Sequence, residues 1–188
     1  MPRDGRVVRE RLQQAALELF SEHGYDGTTT TQIAARAGVT ERTYFRHFPD
    51  KREVLFATEE ELRDLTTTSI ANVPPGTAPL LALKMAFHGV VPLVERSRPL
   101  AEIRIPIIMT APALLEREYA KAAALVTVVA AALEARGETP RTALLTARVG
   151  MDAFSTAIRR WNTDHSGDLH HEVDEVFRDL RSLTQSLD

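Results

Sequence analysis

"GVTERTYFRHF", residues 38–48, is the stretch from which the fold is read. Thr40 stands where a helix start needs a hydroxyl, and Gly38-Val39-Thr40 leaves room only for a tight turn before it. Tyr44 and Phe48 are four residues apart, so both lie on the inward face of a short helix that Pro49 stops. Immediately upstream, "TTTTQIAARAG" (28–38) has Thr29 and Gln32 at capping-box spacing, with Ile33, Ala34 and Ala37 on one face and Gly38 as the terminator. Two short helices joined by a three-residue, glycine-containing turn match the helix-turn-helix description, with Val39 plugging the space between them.

If Tyr44 and Phe48 face inward, then Arg42, Phe45 and Arg46 point largely outward, with Glu41 beside them. An exposed ring between two guanidinium groups is costly on an uncovered surface. It is either a stray surface aromatic or part of a recognition helix. In the second reading arginine reads guanine edges and an apolar ring packs on a thymine methyl in the major groove. His47 and Lys51 fall one or two turns further on, where a backbone phosphate lies, and the N–H groups near Thr29 offer a second phosphate anchor.

The rest of the composition is compatible with this. Hydrophobic residues make up 44% and charged residues 26% of 188, an ordinary globular balance. The absence of cysteine excludes disulfides and thiolate metal sites. The charged N-terminal stretch lacks an apolar h-region, and no run approaches the ~20 apolar residues of a membrane helix. The expectation is a soluble, cytoplasmic protein with no membrane partner. Net charge is −3, distributed as +2 over residues 1–52 and −5 over the remainder, a mildly basic head on an acidic body.

Helical spacing continues throughout and no period-2 strand is evident, so the fold class is all-α: a three-helix head and a helical body, about nine helices in all. The first helix is expected over Gly5–Glu22, and another over about 50–70. A mostly apolar helix should follow "NVPPG", kinked at Pro92, and the next segment should break at Pro106. The alanine-rich stretch of about 112–136 is apolar nearly all round and is expected to be buried in the middle of the body. Two helices close the chain, about 140–163 and 168–187. The inward set of the first is expected to include Leu144, Met151, Phe154, Ile158 and Trp161. In the second, Leu169, Val173, Val176, Leu180, Leu183 and Leu187 form an a/d seam. That seam either closes the monomer's own core or pairs with another subunit.

The stretch "LELFSEHGYDGTTTTQIAARAGVTERTYFRHFPDKREVLF", Leu17 to Phe56, resembles the DNA-binding head of the tetracycline-repressor (TetR) family of transcriptional regulators. The resemblance rests on "ELF", "HGY", the paired threonines before "IAARAGVT", the aromatic-rich helix and "FPDK". It implies a DNA-binding head over 1–49 and a ligand-binding and dimerisation body over 50–188. It implies DNA-contacting positions at Thr29, Thr40, Phe45, His47 and Lys51, with Arg42, Thr43 and Arg46 as candidates for base or phosphate contact. The family often has tyrosine at the position of Phe45; a phenylalanine cannot donate to a phosphate, so only apolar contact is assigned there.

The resemblance further implies a homodimer through the last two helices, on which Met151, Ile158, Trp161, Leu169, Val173, Val176, Leu180 and Leu183 are the expected interface. It implies a double-stranded operator as partner and a small-molecule effector that releases it. Candidate pocket walls are Leu62, Met85, Phe87, His88, Val91, Met109, Tyr119 and Phe154, with Arg104 as an anion anchor. The function so implied is a ligand-responsive transcriptional repressor with no catalytic residues, no metal and no cofactor. Two alternatives stand beside this reading. A helical metalloenzyme could use His170 and His171 with Asp174 and Glu175, but neither Glu-x-x-His nor His-Glu-x-x-His occurs. The other is an interaction module that keeps the head without binding DNA.

Overall fold

The computed structural model describes residues 3–163 and 167–185. Its described residues form eight α-helices and one 3-10 turn: α1 (Arg3–His23), α2 (Thr30–Arg36), α3 (Glu41–His47), the 3-10 turn Glu53–Phe56, α4 (Glu59–Ala71), α5 (Pro79–Thr110), α6 (Pro112–Ala135), α7 (Pro140–Thr163) and α8 (Leu169–Gln185). They divide into two compact units. One gathers the chain up to Glu60 with Ser97–Ala120; the other gathers Glu61–Arg96 with Lys121 onward.

In the first unit α1–α3 close around Leu12, Leu17, Phe20, Ile33, Tyr44 and Phe48. Val54, Leu55 and Phe56 of the 3-10 turn, together with Ile107, Ile108 and Leu114, share the same core, so its packing extends well past residue 49. The three helices are short, and polar bonds to backbone carbonyls bind them together. Thr28 is buried and donates to the carbonyls of Leu19 (3.1 Å) and Gly24 (2.9 Å). Arg11 donates to the carbonyl of Ala37, the last turn of α2. Gly38 follows in the left-handed region at φ +69°, and a Cβ there would meet the Arg11 guanidinium at 2.8 Å.

The second unit is built on Leu83, Phe87 and Val90 of α5, Val129 and Leu133 of α6, and the inner faces of α7 and α8. Phe87 and Phe154 stack at 4.3 Å between ring centroids, nearly parallel at 6°.

Four expectations need correction. First, α5 runs as one 32-residue helix through both Pro92 and Pro106. Both prolines lie on its exposed side, so the carbonyls that lose an N–H partner stand toward solvent. Second, α6 is not buried all round. Leu114, Val129, Ala130 and Leu133 are inside, while Ala122–Ala124 are exposed and Tyr119 keeps 66% of its surface. Its apolarity is largely alanine, which favours helix and loses little by facing water. Third, α7 turns its small residues inward: Ala143, Ala147, Gly150, Ala153 and Ala157 line the packed face with Phe154 and Trp161. Leu144 is consequently exposed, and Met151 and Ile158 are only half-buried. Fourth, the α8 seam closes its own unit: Leu169, Val173 and Val176 are core, Leu180 packs at its edge, and Leu183 is 68% exposed. Leu187 lies outside the described residues.

Gly38 allows a test of the turn. Gly38→Ala should lose about 1–2 kcal/mol, the cost of a Cβ in the left-handed region, enlarged by the Arg11 contact. Urea unfolding that leaves the midpoint unchanged would show that the turn relaxes at no cost.

Candidate nucleic-acid interface

α3 is seven residues long, and its two sides differ in kind. Thr40 caps its start by accepting from the Thr43 amide (3.2 Å), and the Thr40 and Thr43 hydroxyls hydrogen-bond at 3.0 Å. Tyr44 and Phe48 are 0% and 1% exposed, with ring centroids 5.6 Å apart. Burying two such rings contributes on the order of 1.5–3 kcal/mol each. The Tyr44 hydroxyl reaches the carbonyls of Asp50 (3.1 Å) and Lys51 (3.3 Å), and burial raises its pKa. Phe45 stands on the flank of the helix, edge-on to Tyr44 at 5.5 Å and 50% exposed. Arg42 and Arg46 flank it, both exposed, and neither has a hydrogen-bond or ion-pair partner among the described residues. Two unpaired guanidinium groups one turn apart, with a ring between them, present ten N–H donors and an apolar surface to whatever approaches.

The remaining expected contacts fall differently. Thr29 is exposed, but its helix start is already capped: its hydroxyl accepts from the Gln32 amide, and the Gln32 side chain accepts from the Thr29 amide at 2.8 Å. The free N–H groups expected there are in part satisfied internally. Lys51 is half-buried and turned inward. Its ammonium donates to the carbonyls of Tyr25 (2.8 Å) and Thr28 (2.9 Å) and lies 4.2 Å from the centre of the Tyr25 ring. Geometrically it ties the loop after α1 to the segment just after α3, with two of its three donors bound to neutral carbonyls.

His47 also departs from expectation. Both ring nitrogens are buried without a partner, and burial, then Arg46 and Arg9, hold its pKa below 6.5. Near neutral pH it is therefore an uncharged ring packed at the end of α3, with one N–H and no internal acceptor for it. Arg9 of α1 closes that end instead, donating to the carbonyls of His47 (3.0 Å) and Ala57 (3.2 Å) with its guanidinium 4.5 Å over Phe48.

A carboxylate latch on the same surface escaped the sequence reading. Glu41 accepts from the hydroxyls of Thr30 (2.6 Å) and Thr31 (2.8 Å), joining the start of α2 to the start of α3. These bonds hold its pKa below the ordinary carboxylate value. The run of four threonines ten residues before a glutamate was the available signal.

The comparisons with known proteins follow the same division of the chain. Residues 12–58 match the model of bacterial regulatory proteins of the tetR family, and residues 77–185, more than half the chain, match an MftR C-terminal domain. The chain belongs to the tetR family. Among similar tetR-family sequences, the regulator TcmR of Streptomyces glaucescens is 38% identical over 86 residues, covering 46% of this chain and 38% of TcmR. The repressor KstR of Rhodococcus jostii is 29% identical, covering 84% of this chain and 74% of its own. The first of these matches thus spans well under half of the relative. A similar solved structure is the transcriptional regulator FadR of Bacillus subtilis in complex with stearoyl-CoA, at TM-score 0.61 and 17% identity, covering 90% of this chain and 95% of that one. That likeness shows the fold.

The nine expected pocket residues fall in both units. Arg104, Met109 and Tyr119 belong to the first unit, where Arg104 pairs with Glu118 (2.9 Å) and Met109 is 63% exposed. In the second unit Phe87, Val91 and Phe154 are core, Leu62 packs against it, and Met85 faces outward. His88 joins a polar cluster: its Nδ1 meets Nδ1 of His170 at 2.8 Å, and its Nε2 meets Asp174 at 3.2 Å. Lys84 donates to the same carboxylate at 2.9 Å and, ahead of His88, depresses its pKa. None of the nine lines the cleft of about 650 Å³ between α5 and α8, whose floor is Leu80, Leu81 and Phe177 and whose edge carries Lys84, Asp174 and Arg178.

His47 carries a pH signature. Because its folded pKa lies below its unfolded value, the unfolded chain binds the extra proton first. Its contribution to stability is present above 6.5 and is lost as pH falls below that value. His47→Leu should flatten the acid side of the stability profile at little cost at pH 8, measured by urea unfolding across pH. An unchanged acid slope would place the ring nitrogens in solvent.

Proposed function

We propose that this protein is a ligand-responsive DNA-binding transcriptional regulator, a repressor that holds a palindromic operator as a homodimer. The single observation that supports this best is the outer side of α3, where Arg42, Phe45 and Arg46 stand exposed and unpaired on a helix whose inner side is fully buried. With α3 in the major groove, the guanidinium groups meet base edges or phosphates and the Phe45 ring meets a thymine methyl. Thr40 and Thr43 lie at the start of α3, where hydroxyls reach bases or the adjoining backbone. Thr29 stands at the start of α2 and fits backbone contact. Residues 1–49 are the DNA-binding segment in this reading, and 50–188 the sensing and dimerising one.

Dimerisation is assigned to the outer sides of α7 and α8. The small residues of α7 face inward and leave Leu144, Leu145, Met151 and Ile158 wholly or partly outward, and Leu183 is exposed on α8. Trp161, Leu169, Val173 and Val176 support that surface from within their own unit and are not its contact residues. For the effector, the α5–α8 cleft has small-molecule size, an apolar floor and an edge of mixed charge. The Bacillus FadR structure holds stearoyl-CoA. An acyl chain of that type suits the apolar floor, which makes acyl thioesters the first effectors to try.

Arg46→Ala should lower affinity for a selected duplex by about tenfold or more and make the salt dependence shallower, with the thermal midpoint unchanged. Gel shifts at several salt concentrations measure both. Equal affinity and equal salt slope would remove α3 from the interface and favour the interaction-module reading.

A further inference from the structure

The Glu41 latch is unusual for a surface meant to approach a polyanion. One carboxylate oxygen accepts from both Thr30 and Thr31, while the other has no partner among the described residues. The side chain is exposed at the first position of α3, one residue ahead of Arg42. Both threonine hydroxyl protons are committed to the latch, so neither is available to a phosphate. The two hydroxyls also hold the group ionised, and its orientation is fixed by α2 as well as α3.

A fixed anion in this place is repelled by phosphate oxygens and needs a donor directly ahead of it. In the major groove the base-edge donors are the amino groups of cytosine and adenine. Adenine carries the N7 acceptor beside its amino group and so opposes a carboxylate. Cytosine presents its N4 amino group without an adjoining acceptor. Resting on the DNA-binding reading above, we propose that Glu41 is a specificity-determining residue: its free carboxylate oxygen accepts from a cytosine amino group in each half-site, and Thr30 and Thr31 position it.

The experiment is selection of bound duplexes from random DNA by the full-length wild type, by Glu41→Gln and by the double variant Thr30→Val/Thr31→Val. Glutamine keeps the shape and still accepts from the threonine hydroxyls, so the fold is retained, and thermal unfolding checks that it is. It also pairs with adenine through N6 and N7. The wild type should select cytosine at one symmetric position. Glu41→Gln should move that position toward adenine by about tenfold in relative affinity, with the others unchanged. The double valine variant should weaken the cytosine preference without creating one for adenine. The same cytosine preference in Glu41→Gln, or a uniform gain of affinity for all duplexes, would overturn the proposal and leave the latch a purely structural bond. A wild type that selects no duplex would overturn the regulator reading, and this one with it.

Discussion

Tyr44 is the fixed point of the head. A seven-residue helix is too short to be stable by its own hydrogen bonds, so its orientation is set by what it buries. Tyr44 and Phe48 supply that burial, and the Tyr44 hydroxyl adds bonds to the carbonyls of Asp50 and Lys51 just after the helix. With those two rings inside, the roughly 100° step per residue leaves Arg42, Phe45 and Arg46 no place but the outside.

Around this anchor, charged side chains divide into those that build and those that wait. Arg9, Arg11 and Lys51 all donate to backbone carbonyls at loop or helix ends, replacing water at groups the short helices cannot satisfy themselves. Arg36 is held by Glu22 at 2.9 Å, fixing α2 against α1. Arg42 and Arg46 take no such part. The guanidinium groups left without a partner at the head's recognition surface therefore sit together on α3.

Much of this was legible in the sequence because it depends on local spacing. The Thr29–Gln32 capping box, the Thr40 cap, the Tyr44/Phe48 pair and the left-handed Gly38 all appear where short-range rules put them. What was not legible depends on partners distant in the chain. That Lys51 also binds the carbonyls of Tyr25 and Thr28 cannot be read from spacing, and the partners of Arg104 and His88 were likewise invisible. On α7 Phe154 and Trp161 face inward as expected, while Leu144, Met151 and Ile158 are each one position off the packed face. Alanine and glycine pack a close helix contact as well as leucine fills a wide one, and hydrophobicity alone does not tell them apart. Gly150 shows this most clearly: a Cβ there would lie 2.5 Å from Leu83.

The most direct measurement is hydroxyl-radical footprinting of residues 44, 45 and 48 with and without a selected operator duplex. Oxidation of Phe45 in the free protein, with Tyr44 and Phe48 spared, followed by protection of Phe45 when the duplex is added, is the result expected of a ring held outward for DNA to cover. Phe45 spared in the free protein, or oxidised equally with the duplex bound, would contradict it.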